Sequence, residues 1–319
     1  MDFSDRCQCA AVIFATQSFG CVVFILSFLS WGDFLKYAVI VFLGGCSYGI
    51  LSTIVKLAYA AGLTAAEVCG SQGVFGMLLL WAAVLLRRSL IKMRPRRVLT
   101  LILCGLPVGL TTMFYYTALK TVTASFAVIL LFQFVWISTA LDSIFARRLP
   151  DRKKVLAIAV LLPGSVLAAG LFGSGESVQL TQGVIWGLLS AVSYSFVLIV
   201  SGTVGCEVPP FLKSALMSLG AAAVIFSMMP PEFLFSLPSI VKVLPYGLPL
   251  GVFGIALPPL LFAIGIPHTG PALGSILTSS ELPMALIMAF LVLGEHIAPM
   301  QWLGVVLIFV GVIIGNLRK

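Results

Sequence analysis

A carboxylate in the middle of an apolar segment is the feature of this sequence that points most directly to chemistry. Glu281 lies well inside the apolar run 272–293. Within a membrane, an ionised side chain costs about 3 kcal/mol or more unless it faces a cavity or a partner. We therefore predict that Glu281 binds a proton or the ammonium group of a substrate. The alternative is a structural role, in which a protonated glutamate is hydrogen-bonded between helices.

Prolines inside apolar runs predict irregular helices and hinges. Pro283 closely follows Glu281, and in a helix it leaves the carbonyl of Ser279 without its usual N–H partner. Pro258 and Pro259 lie in a second run. Interrupted helices expose backbone groups to a substrate and supply hinges for rocking motions. Proline is also tolerated in membrane helices without any function, so packing is the alternative at these three positions.

Other polar and aromatic side chains in apolar runs are candidates for the same substrate or proton site. They are Tyr48, Lys56, Tyr115, Gln133, Trp136, Tyr194 and Ser280. Tyrosine rings with hydroxyl groups suit an amphipathic or cationic solute, and ordinary packing is their alternative. For the glutamine and the serine, hydrogen bonds between or within helices are an equal explanation. The lysine would attract a carboxylate, or its side chain extends to the membrane surface.

Metal and cofactor sites are not predicted. The 7 cysteines are odd in number and form no CxxC pair, and the chain has only 2 histidines. HExxH and GxxxxGK[ST] strings are absent from the sequence, so neither a zinc enzyme nor ATP hydrolysis is supported. Gly45-Cys46-Ser47-Tyr48-Gly49 has the GxSxG spacing, but it lies inside an apolar run and not at a strand-to-helix turn. We therefore expect a protein that is not an enzyme and carries no cofactor.

The composition identifies the setting of these residues as a membrane. Of the 319 residues 60% are hydrophobic and 9% charged, against about 45–50% and about 25% in soluble proteins. Runs of about 20 apolar residues predict membrane-spanning helices, and short connections predict one bundle. The ten predicted spans are 36–57, 68–86, 98–119, 122–141, 155–172, 183–202, 211–229, 243–264, 272–293 and 301–317.

Basic clusters predict the orientation. They follow the second and fourth spans, as Arg87, Arg88, Lys92, Arg94, Arg96 and Arg97, and then as Arg147, Arg148, Arg152, Lys153 and Lys154. Because such clusters face the cytoplasm, both ends of the ten-span bundle should lie there, in a multi-pass protein of the cytoplasmic membrane. The net charge of +8 is explained by this topology, and no nucleic-acid partner is predicted.

Residues 1–35 are a separate question. The stretch 10–31 is apolar, but the residues before it are not net basic and no signal-peptide cleavage site is evident. Two interpretations stay open for this N-terminal segment: an extra hydrophobic span, or an extension upstream of the true start.

The two halves of the ten-span region resemble each other. Ser47-Tyr48 matches Ser193-Tyr194 at an offset of 146, and 124–133 aligns with 272–281 at an offset of 148, which makes Gln133 the counterpart of Glu281. We assign 36–175 and 182–319 as two repeats. Each repeat has five spans, an odd number, so the second must be inverted relative to the first. Inverted repeats are typical of transporters, whose substrate site lies near the midplane between the halves.

Short motifs at the end of the chain add a resemblance. Leu293-Gly294-Glu295 is followed by Gln301-Trp302-Leu303-Gly304 and by Gly311 in the last span. With the five-plus-five repeat, this pattern resembles the drug/metabolite transporter superfamily, specifically its EamA-type branch, over residues 36–319. Ala146-Arg147-Arg148 departs from the pattern in the first half. The resemblance implies an all-α ten-helix bundle that moves small metabolites and often exports them.

We therefore predict a secondary active transporter, most simply an exporter of an amino-acid-like or other polar or amphipathic solute. Its partners would be the small-molecule substrate, the lipid bilayer and, as a candidate coupling ion, the proton. Because the symmetry lies within one chain, a monomer is sufficient, and a homodimer is the alternative. Efflux of lipophilic cations coupled to protons and a scaffold subunit that transports nothing remain as alternative functions.

Overall fold

The computed structural model describes residues 33–118, 124–147, 149–168, 182–294 and 297–316, so the N-terminal segment lies outside the described residues except for Asp33–Leu35. These residues form ten helical segments without a strand among them. The uninterrupted ones are α1 (Asp33–Ala60), α2 (Ala65–Leu86), α5 (Arg152–Ala168), α6 (Gln182–Thr203), α7 (Pro210–Met228) and α10 (Pro299–Asn316).

The other four segments are interrupted. They are α3 (Pro95–Leu103 and Leu106–Ala118), α4 (Ala124–Phe132 and Phe134–Phe145), α8 (Leu237–Leu250, the π-helix Gly251–Ala256, and Leu257–Thr269) and α9 (Pro271–Thr278 and Glu281–Leu293). A short 3₁₀-helix, Glu232–Phe235, precedes α8. All ten coincide with the predicted spans, but α8 extends five residues past its predicted end. His268 therefore lies in its last turn, with its ring stacked on that of Tyr37 at a centroid distance of 3.6 Å.

The helices have the length and composition of membrane spans. Seven segments are long and apolar enough to cross a bilayer: Leu35–Ala60, Ala65–Leu86, Pro95–Ala118, Gln182–Thr203, Pro210–Met228, Leu237–Thr269 and Pro271–Leu293. Ile129–Phe145 and Pro299–Gly315 are shorter apolar helices. The protein is thus an all-α membrane protein, as the composition predicts.

The helices pack with an internal symmetry. In the first half, α1 packs against α8 and α9, and the equivalent α6 of the second half packs against α3 and α4. The second helices of the two halves, α2 and α7, pack against each other, and so do the fifth helices, α5 and α10. Each of these contacts between the halves therefore has a counterpart or is its own counterpart, as two inverted five-helix repeats require.

Glycine brings α1 close to the interruption of α9. A Cβ atom on Gly49 would lie 2.7 Å from the Cβ of Met284 and 2.8 Å from the backbone nitrogen of Ala285. Such distances are shorter than real contacts, so a larger residue would push the helices apart. One turn earlier, Gly45 faces Thr278 and Ser280 in the same way. Gly45 and Gly49 form the small-residue spacing that allows close helix contact in membranes.

Two equivalent loop contacts stand at opposite ends of the bundle. Arg97, near the start of α3, forms an ion pair with Glu207 in the loop between α6 and α7. At the symmetry-related place, the ammonium of Lys242 near the start of α8 donates a hydrogen bond of 3.1 Å to the carbonyl of Gly62 between α1 and α2. We call the end with Lys242 the open end, because a cavity between the two halves opens there, and the end with Arg97 the closed end.

At the closed end, α6 packs directly against α8 and α9. A Cβ atom on Gly202 would lie 2.8 Å from Cγ2 of Ile266 and 3.1 Å from Cγ of Pro271. Nearby, Lys213 is fully buried, and its ammonium donates a hydrogen bond of 2.8 Å to the carbonyl of Ser201. This lysine therefore holds the last turn of α6 against α7.

Candidate functional site

A cavity of about 490 Å³ lies between the two repeats. Helices from both halves line it, with Tyr48 of α1, Tyr115 of α3, Tyr194 of α6 and Glu281 of α9 in its wall. Towards one end the lining includes Lys56, Ala168, Leu293 and Gln301. Those residues lie where α1, α5 and α9 end and α10 begins, so the cavity opens at the end of the bundle that holds Lys242. On α1 the lining starts at Tyr48, and the opposite end is closed.

Glu281 is the acidic side chain among the described residues of the lining. Tyr48, Tyr115 and Tyr194 line the same cavity, and their hydroxyl groups lie within range of the charge of this carboxyl group. The rings of Tyr48 and Tyr194 meet edge to face with centroids 5.9 Å apart, and that of Tyr194 packs at 4.7 Å against Phe134. The carboxylate therefore faces a wall of aromatic rings. Both features attract a cation, the carboxylate by its charge and the ring faces by their quadrupoles.

The position of Glu281 follows from the interruption of α9. The amides of Ser279 and Ser280 donate to carbonyls three residues earlier, those of Ile276 and Leu277, so the helix tightens there. Pro283 has no amide hydrogen, and the Ser279 carbonyl accepts instead a long hydrogen bond of 3.4 Å from Leu282. Local sequence chemistry thus breaks the helix next to the carboxylate.

Ser280 anchors this interruption to α1. It does not line the cavity; its side chain is buried, and its hydroxyl donates a hydrogen bond of 2.7 Å to the carbonyl of Phe42. The glycine face of α1 packs on the same place through Gly49, which touches the carbonyl of Glu281. Ser280 therefore holds the backbone that carries Glu281.

Gln133 and Trp136 lie elsewhere. Gln133 occupies the interruption of α4, as Glu281 begins the second part of α9. Its amide nitrogen donates to the carbonyl of Ile129 at 3.0 Å, and its amide oxygen accepts from the indole of Trp136 at 2.9 Å. Neither side chain lines the cavity, and Trp136 is 45% exposed. The repeat is thus symmetric in its backbone break but not in the direction of these two side chains.

Lys56 is the basic side chain among the described lining residues. It lies two turns beyond Tyr48 on the same face of α1, towards the open end, and it is exposed. The structure therefore brings five of the residues predicted from the sequence to one cavity: Tyr48, Lys56, Tyr115, Tyr194 and Glu281.

The predicted hinge prolines lie at two irregular places. Pro258 and Pro259 are buried directly after the π-helix Gly251–Ala256, in which each hydrogen bond spans one residue more than in an α-helix. Because these prolines lack amide hydrogens, the carbonyls of Gly254 and Ile255 cannot receive their α-helical partners. Pro283 is buried beside the interruption of α9.

Several lining residues were missed by the sequence reasoning. They are Thr53, Tyr59, Gln72, Thr111, Thr112 and Gln301. Gln72 carried a usable signal, an amide inside the apolar span 68–86. Thr111 and Thr112 gave none, because their hydroxyls bond back to the carbonyls of Pro107 and Val108, as threonine does in many helices. Within the described parts of the chain, no three His, Cys, Asp or Glu side chains are grouped to hold a metal ion.

Comparison with known proteins agrees with this architecture. The family described as the EamA-like transporter family matches the chain twice, at residues 35–170 and 181–317. A solved crystal structure is similar with a TM-score of 0.69 over 86% of this chain and 96% of the other, at 17% sequence identity, a level that speaks for the fold alone. No curated protein matches the chain significantly.

Proposed function

The chain belongs to the EamA-like transporter family, and from that premise we propose that it is a secondary active transporter for small solutes that carry a protonated amine. Membership makes it a membrane transporter of the drug/metabolite type. The substrate, the direction and the mechanism are the proposal. It works by alternating access, with the cavity between the repeats as the central substrate site.

The observation that supports the proposal most directly is the environment of Glu281 in the cavity. A carboxylate inside a membrane protein needs a cavity or a partner, and Glu281 has the cavity, with three tyrosines around it. An ammonium group placed there would interact with the carboxylate and with the faces of the rings. Among the residues predicted from the sequence, Tyr48, Tyr115 and Tyr194 form this aromatic wall. Ser280 lies behind Glu281 and holds its backbone against α1.

Lys56 extends the proposal to zwitterions. It lines the same cavity nearer the open end, so a substrate with a carboxylate could orient that group towards Lys56 and its ammonium towards Glu281. An amino-acid-like solute fits this arrangement. Lipophilic cations are the second candidate, since the cavity wall is otherwise rich in aromatic and aliphatic side chains, among them Leu51 and Leu286.

Protons are the proposed coupling ion. Glu281 would release a proton when it binds the substrate ammonium, and it would bind one again after the substrate leaves. The ionisable groups near it are the hydroxyls of Tyr48 and Tyr194 from α1 and α6, the hydroxyl of Tyr115 from α3, and Lys56 farther along α1. Only the carboxyl group combines a central position with a charge change suited to this exchange.

The basic clusters give the orientation that supports export as the proposed direction. The clusters after α2 and α4 lie at the closed end, which the positive-inside rule assigns to the cytoplasm together with both ends of the bundle. The cavity would then be open to the outside, in the state from which an exporter releases its substrate. Pro258, Pro259 and Pro283 are the proposed hinges. The repeats 36–175 and 182–319 would move relative to each other within a monomer. A homodimer would contain two such transport units.

The experiment is a flux measurement with the purified chain in sealed proteoliposomes. We expect an imposed proton gradient to drive the loss of a loaded, labelled amine or amino acid, and we expect the Glu281→Gln protein to lose this movement. Substrate movement that is equal in both proteins would remove Glu281 from the proposal. No movement of any amine, amino acid or lipophilic cation in the intact chain would favour the scaffold function.

A further inference from the structure

Gln72 of α2 has a side chain that the fold itself does not explain. The residue is 3% exposed and lines the cavity, yet its amide oxygen has no hydrogen-bond partner among the described residues. A buried amide oxygen without a partner costs about 1–3 kcal/mol. A leucine or methionine would fill the same space without that cost. The amide is therefore expected to find its partner in something that enters the cavity.

The backbone opposite Gln72 is shaped to make room for this amide. Gly254 lies in the π-helix of α8 and also lines the cavity. A Cβ atom on Gly254 would lie 2.8 Å from the amide carbon of Gln72, and it would be closer still to the amide nitrogen. Any other residue at 254 would displace the glutamine side chain. The absence of a side chain at Gly254 thus makes room for the amide of Gln72.

Buried polar atoms without partners are concentrated at the cavity. In the described parts of the chain, they are Thr53 Oγ1, Gln72 Oε1, Trp81 Nε1, Tyr194 Oη and Ser214 Oγ. Thr53, Gln72 and Tyr194 line the cavity, whereas Trp81 and Ser214 do not. Among these, Gln72 Oε1 is restricted to accepting, because an amide oxygen carries no hydrogen.

The Gln72 site and Glu281 flank the same tyrosine. Ser47 donates a hydrogen bond of 3.1 Å to the carbonyl of Phe253, the neighbour of Gly254. On the other side of α1, Gly49 packs against the carbonyl of Glu281. Tyr48, between Ser47 and Gly49 in the chain, points into the cavity. A ligand lying on the Tyr48 ring would therefore have the carboxylate on one side and the Gln72 amide on the other.

We propose that Gln72, with the space left by Gly254, is a second substrate-binding site that accepts a hydrogen bond from a hydroxyl or N–H group of the cargo. The inference rests on the proposed function, in which Glu281 binds the cargo's ammonium. It narrows the substrate class to amines that carry a second hydrogen-bond donor, such as amino alcohols, amino amides and polyamines. It disfavours lipophilic cations without a donor, because they would leave the amide oxygen buried and unsatisfied.

The test measures binding of matched amine pairs that differ by one donor. The probes are choline with ethyltrimethylammonium, and ethanolamine with propylamine. The intact chain is purified in detergent, and Kd is measured by isothermal titration calorimetry. We expect the member with the extra donor to bind about tenfold more tightly, which is about 1.4 kcal/mol for one net hydrogen bond. Gln72→Leu and Gly254→Ala should each reduce this ratio to below about threefold.

Two controls separate the possible failures. Ser214→Ala removes an equally buried polar atom outside the cavity and should keep the tenfold ratio. Binding of the member without the donor must persist in Gln72→Leu, which shows that the variant is folded. If the pairs bind in a way that depends on Glu281 but the Gln72→Leu protein keeps the ratio, the Gln72 site is refuted and the transporter proposal stands. If no pair binds to the intact chain, both proposals fail.

Discussion

Lys56 and Glu281 line the same cavity, one towards its open end and the other beside the interruption of α9. The sequence alone left open which of the two faces the cavity. Because both line it, the cavity has one basic and one acidic side chain, together with the rings of the aromatic wall. This arrangement distinguishes a zwitterion, which can use both charges, from a simple cation, which can use only Glu281.

Removing the positive charge should therefore change selectivity. We expect Lys56→Gln to lower the transport of zwitterions about three- to tenfold, a modest factor because the ammonium is exposed and partly screened by solvent. The transport of amines without a carboxylate should be unchanged or higher. Uptake of labelled amino acids and of the corresponding amines into proteoliposomes measures the ratio. Lys242→Gln, a change at the same end but outside the cavity, is the matched control. An equal loss for both substrate classes would contradict the prediction.

The pH dependence of binding should depend on Glu281. A protonated carboxyl is neutral and attracts an ammonium poorly, so lowering the pH should weaken substrate binding, by up to about tenfold per pH unit where one proton is exchanged. Glu281→Gln should bind weakly at every pH between 5 and 9, with a flat profile. Titration calorimetry across this range gives both profiles. Glu67→Gln, which alters the capping box at the start of α2, should keep the dependence of the native chain. A sloped profile in Glu281→Gln would assign the exchange to another group.

The ion pair between Arg97 and Glu207 should not be a gate. Its counterpart, the contact of Lys242 with the Gly62 carbonyl, is present at the open end, so contacts of this kind coexist with an open cavity. The two side chains are 58% and 52% exposed, so the pair contributes less than about 1 kcal/mol. We expect Arg97→Ala to shift the thermal midpoint little and to keep transport within about twofold. A tenfold loss that is restored by exchanging the two charges would establish a gate instead.

The close packing of α1 on α9 should be more sensitive to substitution than the ion pair between Arg97 and Glu207. Gly49→Ala places a Cβ too near Met284 and Ala285, and we expect a loss of about 1–3 kcal/mol. Gly70→Ala adds the same atom where the nearest neighbours lie at 3.4 Å or more, and it should be tolerated. The temperature at which the detergent-solubilised protein loses its monodisperse elution peak compares the two. Similar midpoints for both variants would show that α1 and α9 can separate without cost.

The fold was predictable from the sequence because each span is a long apolar run that only a membrane helix explains. Length and composition located α8 and α9, and their prolines predicted that both helices are irregular, but neither showed that α8 contains a π-helix or that α9 breaks at Ser279 and Ser280. Those features depend on which carbonyls are deprived of partners by proline and on what packs beside them. The periodicity of an apolar run does not encode either.

The candidate site was predictable in part. A charge or a ring in an apolar run is conspicuous, which is why Glu281 and the tyrosines could be named in advance. The directions of the side chains were not available, since nearly all faces of a buried membrane helix are equally apolar. Gln133 is the instructive case: it holds the position equivalent to Glu281 in the repeat, but its amide is used by Ile129 and Trp136. Equivalent backbone positions in the two repeats therefore do not require the two side chains to have the same role.

The packing of Gly202 has a consequence for the energy difference between the two conformations. By the offset that relates Tyr48 to Tyr194, the counterpart of Gly202 is Lys56. At the closed end this position has no side chain, whereas the open end, once shut in the same manner, would have to enclose the long charged side chain of Lys56. Enclosing a charged side chain is costly because the charge loses its contact with water. An empty transporter should therefore rest facing outwards. If Lys56→Gly does not increase the resting protection of a cysteine introduced at Leu51 from a membrane-impermeant thiol reagent, this bias is absent.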